Sequence, residues 1–124
     1  MKNFLLKITV GILIFAFMTA CSNQSSFDGS RTGNNEQFIM EYNLLNDTKT
    51  HEMELEQGAI IDVTIENIKG RLDVIVANVN GGEIYRGNDA SSGHFLIEIP
   101  KTGTYLFTVT GSKAKGGVSF KIVE

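Results

Sequence analysis

The 124-residue sequence has one cysteine, one proline, two histidines and no tryptophan. A lone cysteine closes no internal disulfide, so the fold must be held by packing. Two histidines and one cysteine do not supply the clustered ligands of a zinc site. Nucleophilic catalysis needs a serine or cysteine beside a base that a third group orients. The bases of that type are His51 and His94. His94 falls on the outward phase of its stretch and His51 shares a face with Met53 and Leu55, so both read as surface or half-buried structural residues. Gly-x-Ser-x-Gly, His-Glu-x-x-His and phosphate-loop patterns are all missing. The linear sequence contains no run of Lys and Arg, and a net charge of −3 argues against nucleic acid as a partner. These absences point away from an enzyme and from any cofactor. The length admits one modest domain.

What is present starts with a leader. Lys2 and Lys7 precede a largely apolar run over 8–18, then small residues, then Cys21, which is the order of a secretory signal. Such a run, at 1.5 Å per residue, reaches about 17 Å, well short of the roughly 30 Å hydrocarbon core of a bilayer. Residues 1–20 are therefore expected to be an export signal and not a permanent span.

Met18-Thr19-Ala20-Cys21 resembles the lipobox of bacterial lipoproteins, in which a larger apolar residue and two small ones precede a cysteine. The resemblance implies that Cys21 receives a diacylglyceryl thioether, that the leader is cut before it and that the new amino terminus is acylated. It also implies an extracytoplasmic protein, anchored through fatty acyl chains such as palmitate to the cell membrane or outer envelope. Each buried CH₂ contributes about 0.8 kcal/mol, and two chains hold stably where one binds marginally. Loss of the leader removes Lys2 and Lys7, leaving nine basic residues against fourteen acidic ones. A chain of that sign is mildly repelled by anionic lipid, so the acyl chains are expected to do the tethering.

Residues 22–35 are rich in Ser, Asn and Gly, with Phe27 the one large apolar side chain. The lipidated cysteine and this stretch, 21–35, read as a flexible tether with a span of roughly 20 Å; an extra edge strand from part of it is the alternative. From residue 36 the apolar period becomes two. Ile61, Val63 and Ile65 alternate with Asp62, Thr64 and Glu66. Similar stripes are Leu72, Val74, Val76; Phe95, Ile97, Ile99; Tyr105, Phe107, Val109; and Val118, Phe120, Ile122, with Ile75 an exception. Weaker stripes are Phe38, Met40, Tyr42, Leu44 and then Met53, Leu55, with a short strand over 83–86. Glu52, Glu54 and Glu56 read as the solvated side of an edge strand. Turn residues fall between the stripes, including Lys69-Gly70, Asn80-Gly81 and 111–117. With no helical period to cover a sheet, residues 36–124 are expected to form a single all-β domain. The expected architecture is an antiparallel β-sandwich of about eight short strands, with jelly-roll and immunoglobulin-like orders both open.

Residues 99–123, IPKTGTYLFTVTGSKAKGGVSFKIV, resemble the closing strands of the small sandwich domains that follow secreted bacterial peptidases, the pre-peptidase C-terminal type. There a Gly-Thr-Tyr enters the penultimate strand and a glycine-rich turn leads to the last. The family's Asp-Leu-Tyr-Val segment stands here as Leu72-Asp73-Val74-Ile75. The resemblance implies an extracytoplasmic, non-catalytic module.

Two ligand chemistries are worth weighing. Calcium needs six to eight oxygens, and the loop 87–92 offers one carboxylate, Asp89, with Asp73 or Asp62 as neighbours. An Asx-bonded turn accounts equally well for Asn88 and Asp89, so no metal is expected. Tyr85 and Arg86 beside that loop make the one exposed-looking aromatic pair. Tyr85, Arg86, Asn88 and Asp89 are therefore the candidate ligand contact, the alternative being a tyrosine packed over a sheet edge. The functional expectation is a membrane-anchored binding or structural module whose partner is an envelope protein or glycan. A carbohydrate-binding or calcium-dependent adhesion module is the alternative.

Overall fold

The computed structural model describes residues 25–123; Cys21 and the leader lie outside the described residues. Seven strands follow in order: β1 (Ser26–Gly33), β2 (Gln37–Asn46), β3 (Thr48–Leu55), β4 (Ile60–Asn78), β5 (Gly82–Gly87), β6 (Gly93–Glu98) and β7 (Gly103–Val123). β4 and β7 are 19 and 21 residues long. They pair antiparallel from Ile60↔Val123 to Asn78↔Tyr105, with register shifts between Asn67 and Arg71 where the ribbon turns a corner. On one side of the corner β2 and then β1 extend the ladder from β7, and β6 extends it from β4. On the other side β3 pairs with β7 and β5 with β4.

The two halves lie face to face. Phe107 and Phe120 belong to one strand, and an extended chain would hold them about 43 Å apart. Their rings meet edge-on at 5.0 Å. Phe38 of β2 meets His51 of β3 at 5.1 Å, and Tyr85 of β5 meets Phe95 of β6 at 4.9 Å. The fold is thus the expected all-β antiparallel sandwich, made from one sheet whose two longest strands run through both layers.

Alternation fills the space between the layers. Phe38, Met40, Met53, Leu55, Ile61, Val63, Ile65, Leu72, Val74, Val76, Ile97, Tyr105, Phe107, Val109, Val118 and Phe120 are all buried. Leu44 departs from its stripe. The register slips between Tyr42 and Leu45, and because side chains alternate strictly, a one-residue slip exchanges faces. Leu45 is fully buried in its place.

Two further expectations are corrected. Lys69-Gly70 and 111–117 do not end strands; the ladder passes through them with Lys69↔Lys115 and Arg71↔Ser112. Glycine makes the bend possible. Gly70 has φ +79° and Gly116 φ +145°, and a Cβ at Gly116 would stand 1.8 Å from the Glu66 carbonyl oxygen. The glycines therefore turn the strands without breaking them, and about eight short strands become seven.

The stretch read as a tether is largely β1, the edge strand of the alternative reading. It pairs with β2 from Ser26↔Asn46 to Gly33↔Phe38, so the sandwich starts near residue 26 and not at 36. The burial that the composition lacked is replaced by a backbone ladder and two side-chain clamps. The half-buried Phe27 lies under the Lys49 ammonium at 4.9 Å, and the Arg31 guanidinium lies over the Phe38 ring at 5.0 Å while also bonding the Thr50 carbonyl.

Candidate functional site

The four residues singled out beyond Cys21 come together on one rim. Tyr85 and Arg86 lie near the end of β5, and Asn88 and Asp89 follow in the loop to β6. Arg86 bonds Asn88, and Arg86 and Asp89 also bond Glu83 and Asp73, respectively, outside the set. Arg86 grips Glu83 and donates to Asn88 Oδ1 at 3.3 Å. The hydrogen bond from Arg86 holds the Glu83 carboxyl below the usual carboxylate range, and the same bond raises Arg86. Asp89 adopts a left-handed φ of 51°, and its N–H donates to Asp73 Oδ1 at 2.7 Å. That bond, followed by the one from Arg71, lowers the Asp73 pKa. Ala90 N–H donates to the Leu72 carbonyl and anchors the loop to β4. Tyr85 is half-buried against Phe95, where it joins the two layers. This is a braced loop on which Arg86, Asn88 and Asp89 are exposed.

The oxygens considered for calcium are divided. Asp73 is bonded by Arg71 and Asp89, whereas Asp62 pairs with His94 in the other half of the sheet. Among the described residues no three His, Cys, Asp or Glu side chains gather in a way that would hold a metal ion. His51 is half-buried and its Nε2 lies 2.6 Å from the Asn34 carbonyl oxygen. That atom therefore carries the hydrogen, and the ring closes the β1–β2 turn. His94 is exposed on the outer face of β6.

The sequence reading missed a recess of about 580 Å³ on the outer face of the β1-β2-β7-β4 layer. Two cross-strand rows build it. Ser30, Glu41, Gly117 and Glu66 are successive register partners, as are Ile39, Ser119 and Thr64, and Ile68 and Lys115 line it toward the corner. The middle of the layer carries glycine, serine and threonine, so the floor is low. Ile39 supplies an apolar spot, and Glu41 and Glu66 rise on either side of Gly117. Tyr42 also borders the recess, but it is buried, and burial pushes its phenol up to about 12. The signal was present as small residues on the outward phases of three stripes. It becomes a site once the strand order sets those stripes side by side.

Compared by sequence, the chain matches no family model and no curated relative. Compared by structure, it is similar to the periplasmic inhibitor of g-type lysozyme from Aeromonas hydrophila, with a TM-score of 0.50, 14% identity, and 82% of this chain and 92% of that one covered. It is also similar to the pre-peptidase C-terminal domain of the Bacillus anthracis collagenase, with a TM-score of 0.48, 14% identity, and coverage of 82% and 100%. A low-affinity xylan-binding module from Roseburia intestinalis aligns at a TM-score of 0.39 and 11% identity, over 79% and 86%. At such identities the likeness concerns the sandwich fold.

Proposed function

We propose that the chain is an extracytoplasmic lipoprotein, anchored through Cys21, whose sandwich is a non-catalytic binding module. The recess on the outer face of β1, β2, β7 and β4 is its contact surface, and its partner is an envelope protein or glycan. The observation that carries this reading is the recess itself. It is large and open, floored by short side chains, and edged by hydroxyls, two carboxylates, Lys115 and two isoleucines, Ile39 and Ile68, a mixture suited to binding a polar chain with apolar contacts. The braced loop at Arg86 is less suited because Arg86 is already paired with Glu83 and the neighbouring Asp73 with Arg71. The Aeromonas hydrophila protein of similar fold is a periplasmic inhibitor, an example of the non-catalytic work proposed here.

A carbohydrate ligand is the second reading. It is favoured by Ser30, Ser119, Thr64, Glu41 and Glu66 around the glycine floor, all able to bond sugar hydroxyls. Both readings place binding in the recess. In the full-length protein, Ile39→Arg and Ser119→Arg are expected to abolish cross-linking to an envelope partner or retention on envelope glycans, while Arg86→Ala leaves both unchanged. The opposite pattern would move the site to the loop. Metabolic labelling with palmitate is expected at Cys21 and to be lost in Cys21→Ala, which is released or left unprocessed.

A further inference from the structure

The corner where β4 and β7 turn from one layer into the other gathers charge that the sequence spreads over some fifty positions. Lys69 and Lys115 are register partners, and like charges facing across a ladder repel. Lys113 joins them with a left-handed φ of 49°, its N–H held by Asn46 Oδ1 at 3.0 Å. Among the described residues none of these three lysines has an ion-pair partner, whereas Lys49, Arg71 and Arg86 each have one. They surround a second recess of about 590 Å³, lined besides by Ser26, Asn43, Leu44 and Asn46, with no carboxylate. In a chain with a net charge of −3, this recess is cationic, and at Lys115 it meets the first recess, which Glu41 and Glu66 flank. Next to it Ile68 is 61% exposed.

The chain enters the fold at this corner. Ser26, the first residue of β1, lines the lysine recess. Cys21 precedes it by five positions, which a fully extended chain stretches to about 17 Å. An acyl group on Cys21 therefore keeps the lysine corner close to the bilayer. The chain's overall negative sign, which suggested repulsion from anionic lipid, is outweighed locally by the three lysines.

We infer that Lys69, Lys113 and Lys115, with Ile68, form a docking face for the anionic headgroups of a lipid bilayer. The inference rests on the proposed anchor at Cys21. The lysines meet phosphate groups and Ile68 enters the interface beside them; because Ile68 and Lys115 also line one end of the recess, that end faces the bilayer while Ile39 and Ser119 lie further along the same strands.

The test uses the full-length chain carrying Ile68→Trp, placed in vesicles of phosphatidylcholine alone or with phosphatidylglycerol. Because the chain has no other tryptophan, its emission reports one place. In phosphatidylglycerol vesicles the emission is expected to shift to the blue and to resist acrylamide. Both effects should vanish at 1 M salt, where screening acts over about 3 Å, and when Lys69→Gln, Lys113→Gln and Lys115→Gln are added. Loss of the three charges is expected to lower headgroup preference on the order of 100-fold. Leu96→Trp on β6, at a site 60% exposed, should stay accessible throughout, with circular dichroism confirming the fold of each variant. Emission at position 68 that is open to quencher in both vesicle types, equally shielded in both, or shielded as well by soluble polyphosphate would overturn the inference. Mass spectrometry of Cys21 reads the anchor separately. An unmodified cysteine defeats the anchor, while emission at position 68 that is shielded by phosphatidylglycerol vesicles and not by phosphatidylcholine alone still supports the corner.

Discussion

Two buried tyrosines show how much depends on the partner of one oxygen. Tyr105 is fully buried, and its hydroxyl donates to the Lys101 carbonyl at 2.5 Å, tying the loop before β7 to its own strand. Tyr42 is also buried, but its hydroxyl has no hydrogen-bond partner among the described residues. Removing a paired buried hydroxyl leaves a carbonyl unsatisfied, whereas removing an unpaired one relieves a desolvation cost. Tyr105→Phe is expected to lower unfolding free energy by about 1 kcal/mol, and Tyr42→Phe to leave it unchanged or raise it, as urea denaturation would measure. Asp73 supplies a pH dependence. Its carboxyl is held below the ordinary range by the Asp89 N–H and then by Arg71, so the folded state binds its proton less readily than the unfolded chain. Its contribution is full above the unfolded value near pH 4 and is lost as pH falls through the lower folded value. Asp73→Asn keeps an acceptor for Asp89 but loses the charge facing Arg71. The variant should be less stable than the parent at pH 7, and the difference should shrink below pH 4.

At the scale of the strand, the corner of β4 and β7 governs the architecture. Seventeen register pairs join these two strands, and the layers face each other because the ribbon bends partway along. Gly116 sits in the bend with φ +145° and a backbone oxygen where a Cβ would go. Gly58, in the turn before β4, has φ +89° with open space around it. Gly58→Ala therefore meets only the backbone penalty, about 1 kcal/mol. Gly116→Ala meets that penalty and a steric clash that requires the ladder to move, so a loss of 3 kcal/mol or more is expected. Thermal unfolding of the two variants checks the order. Equal losses would mean that the corner yields more easily than its geometry implies. The edge strand β1 obeys different physics. Its backbone bonds to β2 hold it, with Phe27 and Arg31 as side-chain clamps, so its low hydrophobicity is no obstacle to order.

For the molecule as a whole, the inward stripes were legible because period two is a local property. Ile61, Val63 and Ile65 declare a buried face whatever they pack against. The sandwich followed, since apolar strands with no helix must cover one another. β1 was legible only as the alternative of an edge strand within 22–35, because the edge of β2 that receives it is created by the fold. The corner was not legible either, since Gly70 and Gly116 look the same in a turn between strands as in a bend within one. The recess required Ile39, Ser119 and Thr64, from three distant segments, to become register neighbours, and the lysine face required Lys69 to lie opposite Lys115. Composition and periodicity thus dictated an all-β chain with a hydrophobic interior, because burial of alternate side chains is encoded residue by residue. Which outer surfaces become a recess or a cationic corner was left to the pairing of remote strands, because a surface is a relation between neighbours that no single segment contains.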